Sequence, residues 1–545
     1  MKTFIPFLLC LAYTSLLGQP DFILYNGKVF TSDKNRLWEE AVAIKGNRIV
    51  AVGKNDIAAK QRGPNTKLID LGGRLVIPGF NDAHAHIGPD YPSRFINLTE
   101  NPAHPTSWSM VRDSITKVVR DLSPGTMITV SINPDLFQDM EVRRTALDVL
   151  APDNPIVLAA WTGHGKVLNS AAMKLLKIAE GVDIAGGKTE NDSNGRSTGY
   201  FEEYAAFHFS SILGSRLPVE ESVKQIQQFH EYTASLGITS IQNMCTSFNP
   251  TDAIQLYKAH SFPCRTRLIA FPTADSRDLR LTEWKPVFDF RSNHAYGSGI
   301  KMILDGTPIE RLACMRKPYA DSNTFGRLNF TSAQLKSFMA FALENKQQII
   351  IHAVGDSAIA TIIKAMRGLH PDEFWKNKRV RLEHAEMAVI EKEDLQSLKD
   401  LGIIVVQNPL HLTLPEIMGQ RLDKSRTRYL QAMRSLIDND IHFALGSDGP
   451  INPFLNLMFA TIHPDNPPEA LTLEEALIAY TAGSAFAEFK ETEKGIIAGG
   501  QLADMAVLSQ NIFEIPREQL PATESILTFL DGQIVFDKKV LKAKE

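Results

Sequence analysis

Cysteine is scarce, with four residues in a chain of 545. Once the first eighteen residues are set aside only Cys245, Cys264 and Cys314 remain, so no dense disulfide framework supports the fold. An excess of charge of one sign is also missing: 58 basic against 62 acidic side chains give a formal net charge of −4. That balance gives no reason to expect nucleic acid or an anionic membrane as a partner. Past the N-terminus no stretch is long and apolar enough to cross a bilayer, so no membrane anchor is expected. What is present is ordinary globular composition, 44% hydrophobic and 22% charged, in a chain long enough for two or three domains or one large barrel with appendages. The first eighteen residues, Met1-Lys2-Thr3 followed by an apolar run from Phe4 to Ala12, read as a secretory signal. The protein is therefore expected to be exported, to the periplasm or beyond. Leu9, directly before Cys10, is not the small residue that lipid attachment favours.

The texture of the chain changes more than once. Runs such as Phe22-Ile23-Leu24-Tyr25 and Ala41-Val42-Ala43-Ile44, separated by Gly and Asn turns, predict a small β unit over residues 19–77. Ala503 to Leu508 and Ile526 to Phe536 repeat that texture, so residues 495–545 are expected to complete the same β-sandwich. Between them, residues 78–494 alternate strands and helices. Apolar runs fit for strands buried on both faces occur at 238–241, 266–270, 300–304, 349–351, 380–382, 403–406 and 443–445. Leu75-Val76-Ile77, before His84, supplies an eighth. Capping-box starts at Thr331-x-x-Gln334 and Thr472-x-x-Glu475 open helices between or after them. Eight strands with crossover helices predict an α/β fold, a (β/α)8 barrel whose active site lies at the C-terminal strand ends. Residues 100–235 do not fit the repeat and read as an insertion, although Ile128-Thr129-Val130 and Ile156-Val157-Leu158 are alternative strands.

Chemistry-bearing residues sit where such a barrel makes strands converge. His84-x-His86 places two imidazoles on one side of an extended segment, where they can share a metal ion. Ile349-Ile350-Ile351 ends in His352, Val380-Arg381-Leu382-Glu383 in His384, and Phe443-Ala444-Leu445-Gly446-Ser447 in Asp448, while Lys301 follows Ile300. Four histidines and an aspartate, gathered at the ends of four buried strands, point to a metal site.

These motifs give the chain a specific resemblance. It resembles the amidohydrolase superfamily, and within it the YtcJ-like, N-substituted formamide deformylase-like group of amidohydrolase family 3. The likeness rests on Pro78-Gly79-Phe80 with His84-x-His86, Gly163-His164 with Asn169-Ser170, Gly199-x-x-x-Glu203, Lys301-x-x-x-Asp305-Gly306, His352-Ala353-Val354-Gly355-Asp356, Glu383-His384-Ala385, Gly446-Ser447-Asp448 and Gly499-Gly500-Gln501. Two departures stand out: Thr162 replaces the Asp that usually precedes Gly-His, and Asn408 stands where Gln commonly precedes Pro. Both are expected to shape the substrate pocket and to leave the metal ligands intact.

The resemblance implies a binuclear centre of two divalent ions, with His84, His86 and Asp448 on one metal and His352 and His384 on the other. Imidazole and carboxylate donors suit zinc, with iron, manganese and nickel as alternatives. Lys301 is the candidate bridge, as a carbamate formed from its neutral amine and CO2; unmodified, it makes a mononuclear site the better picture. The expected activity is hydrolysis of a C–N bond in an amide, N-substituted formamide or cyclic amide of a small-molecule substrate. A metal-activated hydroxide would attack, with Asp448 as general base. His164, Asn169 and His411 are candidate substrate contacts, and Asp356 and Glu383 are placed to orient the adjoining histidines. The same metal core serves lactone and phosphoester hydrolysis and ring deamination, which stay as alternatives, and a non-catalytic ligand-binding barrel is a third. Dimers are common among relatives, so a homodimer is compatible with this reading.

Overall fold

The computed structural model describes residues 19–544 other than 102, 103, 275 and 542. The expected signal, residues 1–18, and Cys10 with it, lie outside the described residues. By packing, the chain divides into two compact units, one formed by residues up to 81 with 231–239 and 481–545, the other by 82–230 and 240–480.

The first unit joins both chain ends. A five-stranded sheet runs in the order Ala543–Lys544, Lys67–Asp70, Phe22–Tyr25, Ala41–Lys45, Arg48–Gly53. A six-stranded sheet runs in the order Gln533–Asp537, Ser525–Leu530, Met505–Leu508, Leu75–Pro78, Lys28–Phe30, Trp38–Glu39. Alternation along the strands sends Leu24, Val42 and Ile44 from one sheet and Val76, Val507 and Phe529 from the other into one apolar core. The run Leu75-Val76-Ile77 is thus a sandwich strand, paired with Lys28–Phe30 and Met505–Leu508, and not the first barrel strand as its apolar character suggested.

In the barrel, β1 (Phe80–Ala85), β2 (Ile238–Met244), β3 (Arg265–Ala270), β4 (Ala295–Ile303), β5 (Ile349–Ala353), β6 (Arg381–His384), β7 (Ile404–Gln407) and β8 (His442–Leu445) follow one another in sequence order around one sheet. The pairs resolved from β2 to β8 are parallel. A parallel bridge between Ala85 and Asp448 brings the last strand back to the first. Most of these strands are buried along their whole length, as a parallel sheet flanked by helices requires. Both capping boxes form: Thr331 opens the helix Ser332–Glu344, and Thr472 opens Leu473–Ile478.

The insertion builds its own six-stranded sheet in the order Gly187–Asn191, Ser197–Glu203, Gly165–Leu168, Ile156–Ala160, Ile128–Ile132, Arg94–Asn97. Ile128 and Ile156, which sequence alone left as alternative barrel strands, pair with each other here over a core with Val111, Ile115 and Leu158.

Candidate metal centre

Four imidazoles and one carboxylate meet at the C-terminal ends of β1, β5, β6 and β8. His84 Nε2 lies 3.3 Å from His86 Nε2, and Asp448 Oδ1 lies 3.8 Å from the first and 3.2 Å from the second. The His384 ring centroid is 4.9 Å from that of His84 and 4.4 Å from that of His352. His84, His384 and Asp448 each offer a ligand atom within 4.8 Å of the others.

Local backbone chemistry makes this convergence possible. Adjacent strand residues should point to opposite faces, yet Glu383 hydrogen-bonds His84 while His384 packs its ring beside it. The left-handed φ of His384, 68°, breaks the alternation. Asp448 has the same kind of backbone, φ 59°, and donates its amide to His84 O at 2.7 Å. Gly446 permits that approach, since a Cβ there would stand 2.4 Å from the His84 nitrogen. Strained, left-handed residues at strand ends are a common mark of functional sites.

The donor set fits a metal. His84 Nδ1 is 2.5 Å from Glu383 Oε2, an ionised acceptor, so the ring carries its proton there and turns the Nε2 lone pair inward. His384 Nδ1 donates to Asn408 Oδ1 at 2.8 Å, which turns its Nε2 lone pair the same way, and His86 Nδ1 is held by Thr246 Oγ1 at 3.0 Å. Among the described residues His352 Nε2 is buried without a hydrogen-bond partner, 4.0 Å from Asp305 Oδ1. Burial, with Lys301 adding to it, lowers His84 to about 4, and burial holds His352 and His384 well below the usual imidazole range. The neutral imidazole is the ligating form. Burial works against the Asp448 carboxylate, but His84, His411 and His86 outweigh it and keep the carboxyl ionised. Lys301 is fully buried, and burial lowers its amine to about 8.

A cavity of about 590 Å³ opens onto this centre, with His352, His384 and Asp448 in its wall. His164 and His411 line it too. His164 Nδ1 is 2.8 Å from Glu203 Oε1, and its ring is 5.7 Å from His352. His411 bridges two carboxylates, with Nδ1 2.8 Å from Glu386 Oε1 and Nε2 3.4 Å from Asp448 Oδ2. Asn169 does not reach the cavity. Its Oδ1 accepts from Ala172 N and Ile156 N and its Nδ2 donates to Ala151 O and Asn154 O, so it caps the helix Ser170–Leu176 and is spent on structure. Asp356 likewise misses His352; it begins the helix Asp356–Arg367 and accepts from Arg316 N at 2.9 Å. Asp305 is the carboxylate beside His352, held by the amides of Cys314, Val354 and Gly355.

Several functional neighbours escape a reading of the strands as apolar runs. Arg381, fully buried in β6, donates from Nε to Glu383 Oε1 at 2.8 Å and from Nη2 to Ala83 O at 2.7 Å. Burial opposes ionisation of Glu383, and Arg381 and His84 overcome it, holding the carboxyl far below its ordinary value. Spacing was a usable signal, because Arg381 and Glu383 stand two apart and so share a face. Asn408 departs from the family pattern, and it touches the His384 ring directly instead of only shaping the pocket. Thr162, the other departure, donates to Glu310 at the cavity wall.

The Amidohydrolase family model (Amidohydro_3) matches residues 67–536. Over 95% of its length the chain is 25% identical to N-substituted formamide deformylase of Arthrobacter pascens, covering 98% of that protein. It is also 25% identical to Protein LONG AFTER FAR-RED 3 of Arabidopsis thaliana, over 95% of this chain and 91% of that one. In fold it is similar to an uncharacterized metal-dependent hydrolase from Pyrococcus horikoshii OT3, with a TM-score of 0.69 at 19% identity, covering 91% of this chain and 99% of the other. Ligand-type residues at the strand ends and a match over most of the chain agree, and the chain belongs to the Amidohydrolase family as a metal-dependent hydrolase.

Proposed function

We propose that the protein hydrolyses a C–N bond of a small amide, N-substituted formamide or cyclic amide at this centre. The observation that carries the reading is the inward-facing set of His84, His86, His384 and Asp448, opening onto a largely apolar cavity. The relative named N-substituted formamide deformylase supports the bond type. When bound, divalent metal supplies Lewis acidity, polarising the substrate carbonyl and lowering the pKa of water. The chain's own groups do the rest. Asp448, ionised and 3.4 Å from His411 Nε2, takes a proton from the attacking water and passes it to the departing nitrogen. Glu386 holds His411 from its far nitrogen, so the imidazole stays beside Asp448 Oδ2 through that transfer. Trp161, Ile309, Leu412 and Met418 exclude bulk water from the apolar part of the substrate.

The test is a panel assayed with zinc-loaded protein: N-benzylformamide, an N-acyl amine, a cyclic imide, a lactone and a phosphotriester. Turnover confined to the nitrogen compounds is expected. A lactone or phosphotriester turned over at the higher kcat/KM would reject the reading.

Lys301 belongs to the same proposal. A buried ammonium beside divalent cations would be repelled, whereas its neutral amine, favoured by burial that lowers it to about 8, would add CO2 and release a proton to solvent, and the resulting carbamate would serve as an anionic ligand. In that case Lys301→Met falls from two bound zinc ions per chain to one or none by elemental analysis. Two ions retained in the variant would show that Lys301 is no bridge.

A further inference from the structure

Charge in the cavity wall is balanced around two imidazoles, since against burial Glu203 pushes His164 up to about 9 and Asp448 and Glu386 push His411 up to about 10. The wall's charged lining comprises Glu386, Asp448 and Asp465 together with histidines, and no Lys or Arg lines it among the described residues. Two of the three carboxylates are engaged. Glu386 holds His411 Nδ1 at 2.8 Å, and Asp448 lies 3.2 Å from His86 Nε2 and 3.4 Å from His411 Nε2. Asp465 has neither a hydrogen bond nor an ion pair among the described residues.

The imidazole two residues before Asp465 is engaged elsewhere. His463, fully buried, ends the helix Pro453–Ile462 in a left-handed conformation, φ 45°. His463 Nε2 faces the carbonyls of Leu430 and Gln431 at 3.2 and 3.1 Å, and Nδ1 accepts from Asn466 N at 3.1 Å. Both nitrogens are therefore engaged. Asn466 Nδ2 donates to Arg428 O at 2.7 Å and pins the same turn from its other side. The guanidiniums of that segment are engaged elsewhere: Arg428 lies over the Tyr429 ring, 4.7 Å from its centroid, Arg426 pairs with Asp423 and Arg434 with Glu475. Asp465 is thus a carboxylate held by a rigid turn, in a wall otherwise rich in Leu410, Leu412, Leu414, Met418 and Leu430. Burial pushes its carboxyl up, with His463 partly opposing, which is the sign of a carboxylate short of a counter-charge.

We infer that Asp465 forms a cation subsite, so that the cavity prefers substrates with an alkylammonium group on the arm remote from the bond that is cut. The inference rests on the cavity being the substrate site of the proposed hydrolysis. An anionic arm would meet the unpaired Asp465 with no Lys or Arg among the described residues of the wall to offset it, and a neutral arm would leave Asp465 without a partner.

The test is calorimetric titration of the zinc-loaded protein at pH 7 with n-hexylammonium and with 1-hexanol, which match in length and differ in charge. Hexylammonium is expected to bind about tenfold more tightly, the scale of one charge-assisted contact. In Asp465→Asn the ratio is expected to fall toward one, and in Asp465→Glu to persist. Because both ligands are measured on one preparation, the ratio is insensitive to the fraction of folded protein. Equal binding by the unaltered protein, or an undiminished preference in Asp465→Asn, would overturn the subsite. Failure of every formamide to turn over with the ratio intact would count against the proposed reaction and leave the subsite standing.

Discussion

Asp448→Asn is expected to lower kcat for the cognate amide by about 10²- to 10⁴-fold, the range of a lost general base, with metal still bound. The substitution keeps the volume and one oxygen of the side chain but removes the site that takes up the proton. Asn tolerates a left-handed backbone better than most residues, so the φ of 59° at this position is not an obstacle to folding. His84 and His86 stay in place, since Glu383 and Thr246 hold both rings from their Nδ1 atoms. Steady-state kinetics and elemental analysis on one preparation check the prediction. Unchanged turnover would reject Asp448 as the base, and loss of metal in proportion to activity would make it a ligand only.

The second large effect is on stability. Arg381→Met is expected to cost about 3–5 kcal/mol in urea unfolding, the usual consequence of leaving one member of a buried ion pair uncompensated. Arg381 and Glu383 are both fully buried, and Arg381 also donates to Ala83 O and Gln242 Oε1. Removing the guanidinium leaves Glu383 with His84 but without its counter-charge, takes the Arg381 donor from Ala83 O, and leaves Gln242 Oε1 with Arg267 Nη1 at 3.1 Å. Met fills similar space, so the loss reads the charge and hydrogen bonds more than a cavity. A cost below about 1 kcal/mol would mean that Glu383 takes up a proton at little expense. In that event the variant should still weaken zinc affinity, because a protonated Glu383 no longer fixes the tautomer of His84.

The ligand positions were legible because coordination narrows residue type and a parallel barrel narrows place. His84, His352, His384 and Asp448 each follow a buried run, and neighbouring strand ends must meet. The partners of those ligands were not legible in the same way. His84 and Glu383 are 299 residues apart, and only the closed barrel puts their side chains within 2.5 Å. Arg381 was hidden inside a run taken as apolar, since a barrel interior admits a charge once another strand residue pairs with it. Asn169 shows the opposite error. An Asn before a helical segment serves equally well as a cap or as a pocket residue, and four hydrogen bonds to backbone decide for the cap. Leu75-Val76-Ile77 misled through hydrophobicity alone, which marks burial without saying in which sheet.

The closure of the barrel between Ala85 and Asp448 also bears on how the protein comes into being. Asp82 receives hydrogen bonds from the amide and hydroxyl of Ser447, 365 residues later, and a further one from Tyr480. The ribosome therefore finishes one side of the metal centre long before it makes the other. A nascent chain that has reached β7 has the four histidines but neither Asp448 nor the strand that encloses them. Tight metal uptake then becomes a late event, coupled to completion of the barrel, and metal retention is a direct gauge of whether a given molecule has closed its seam.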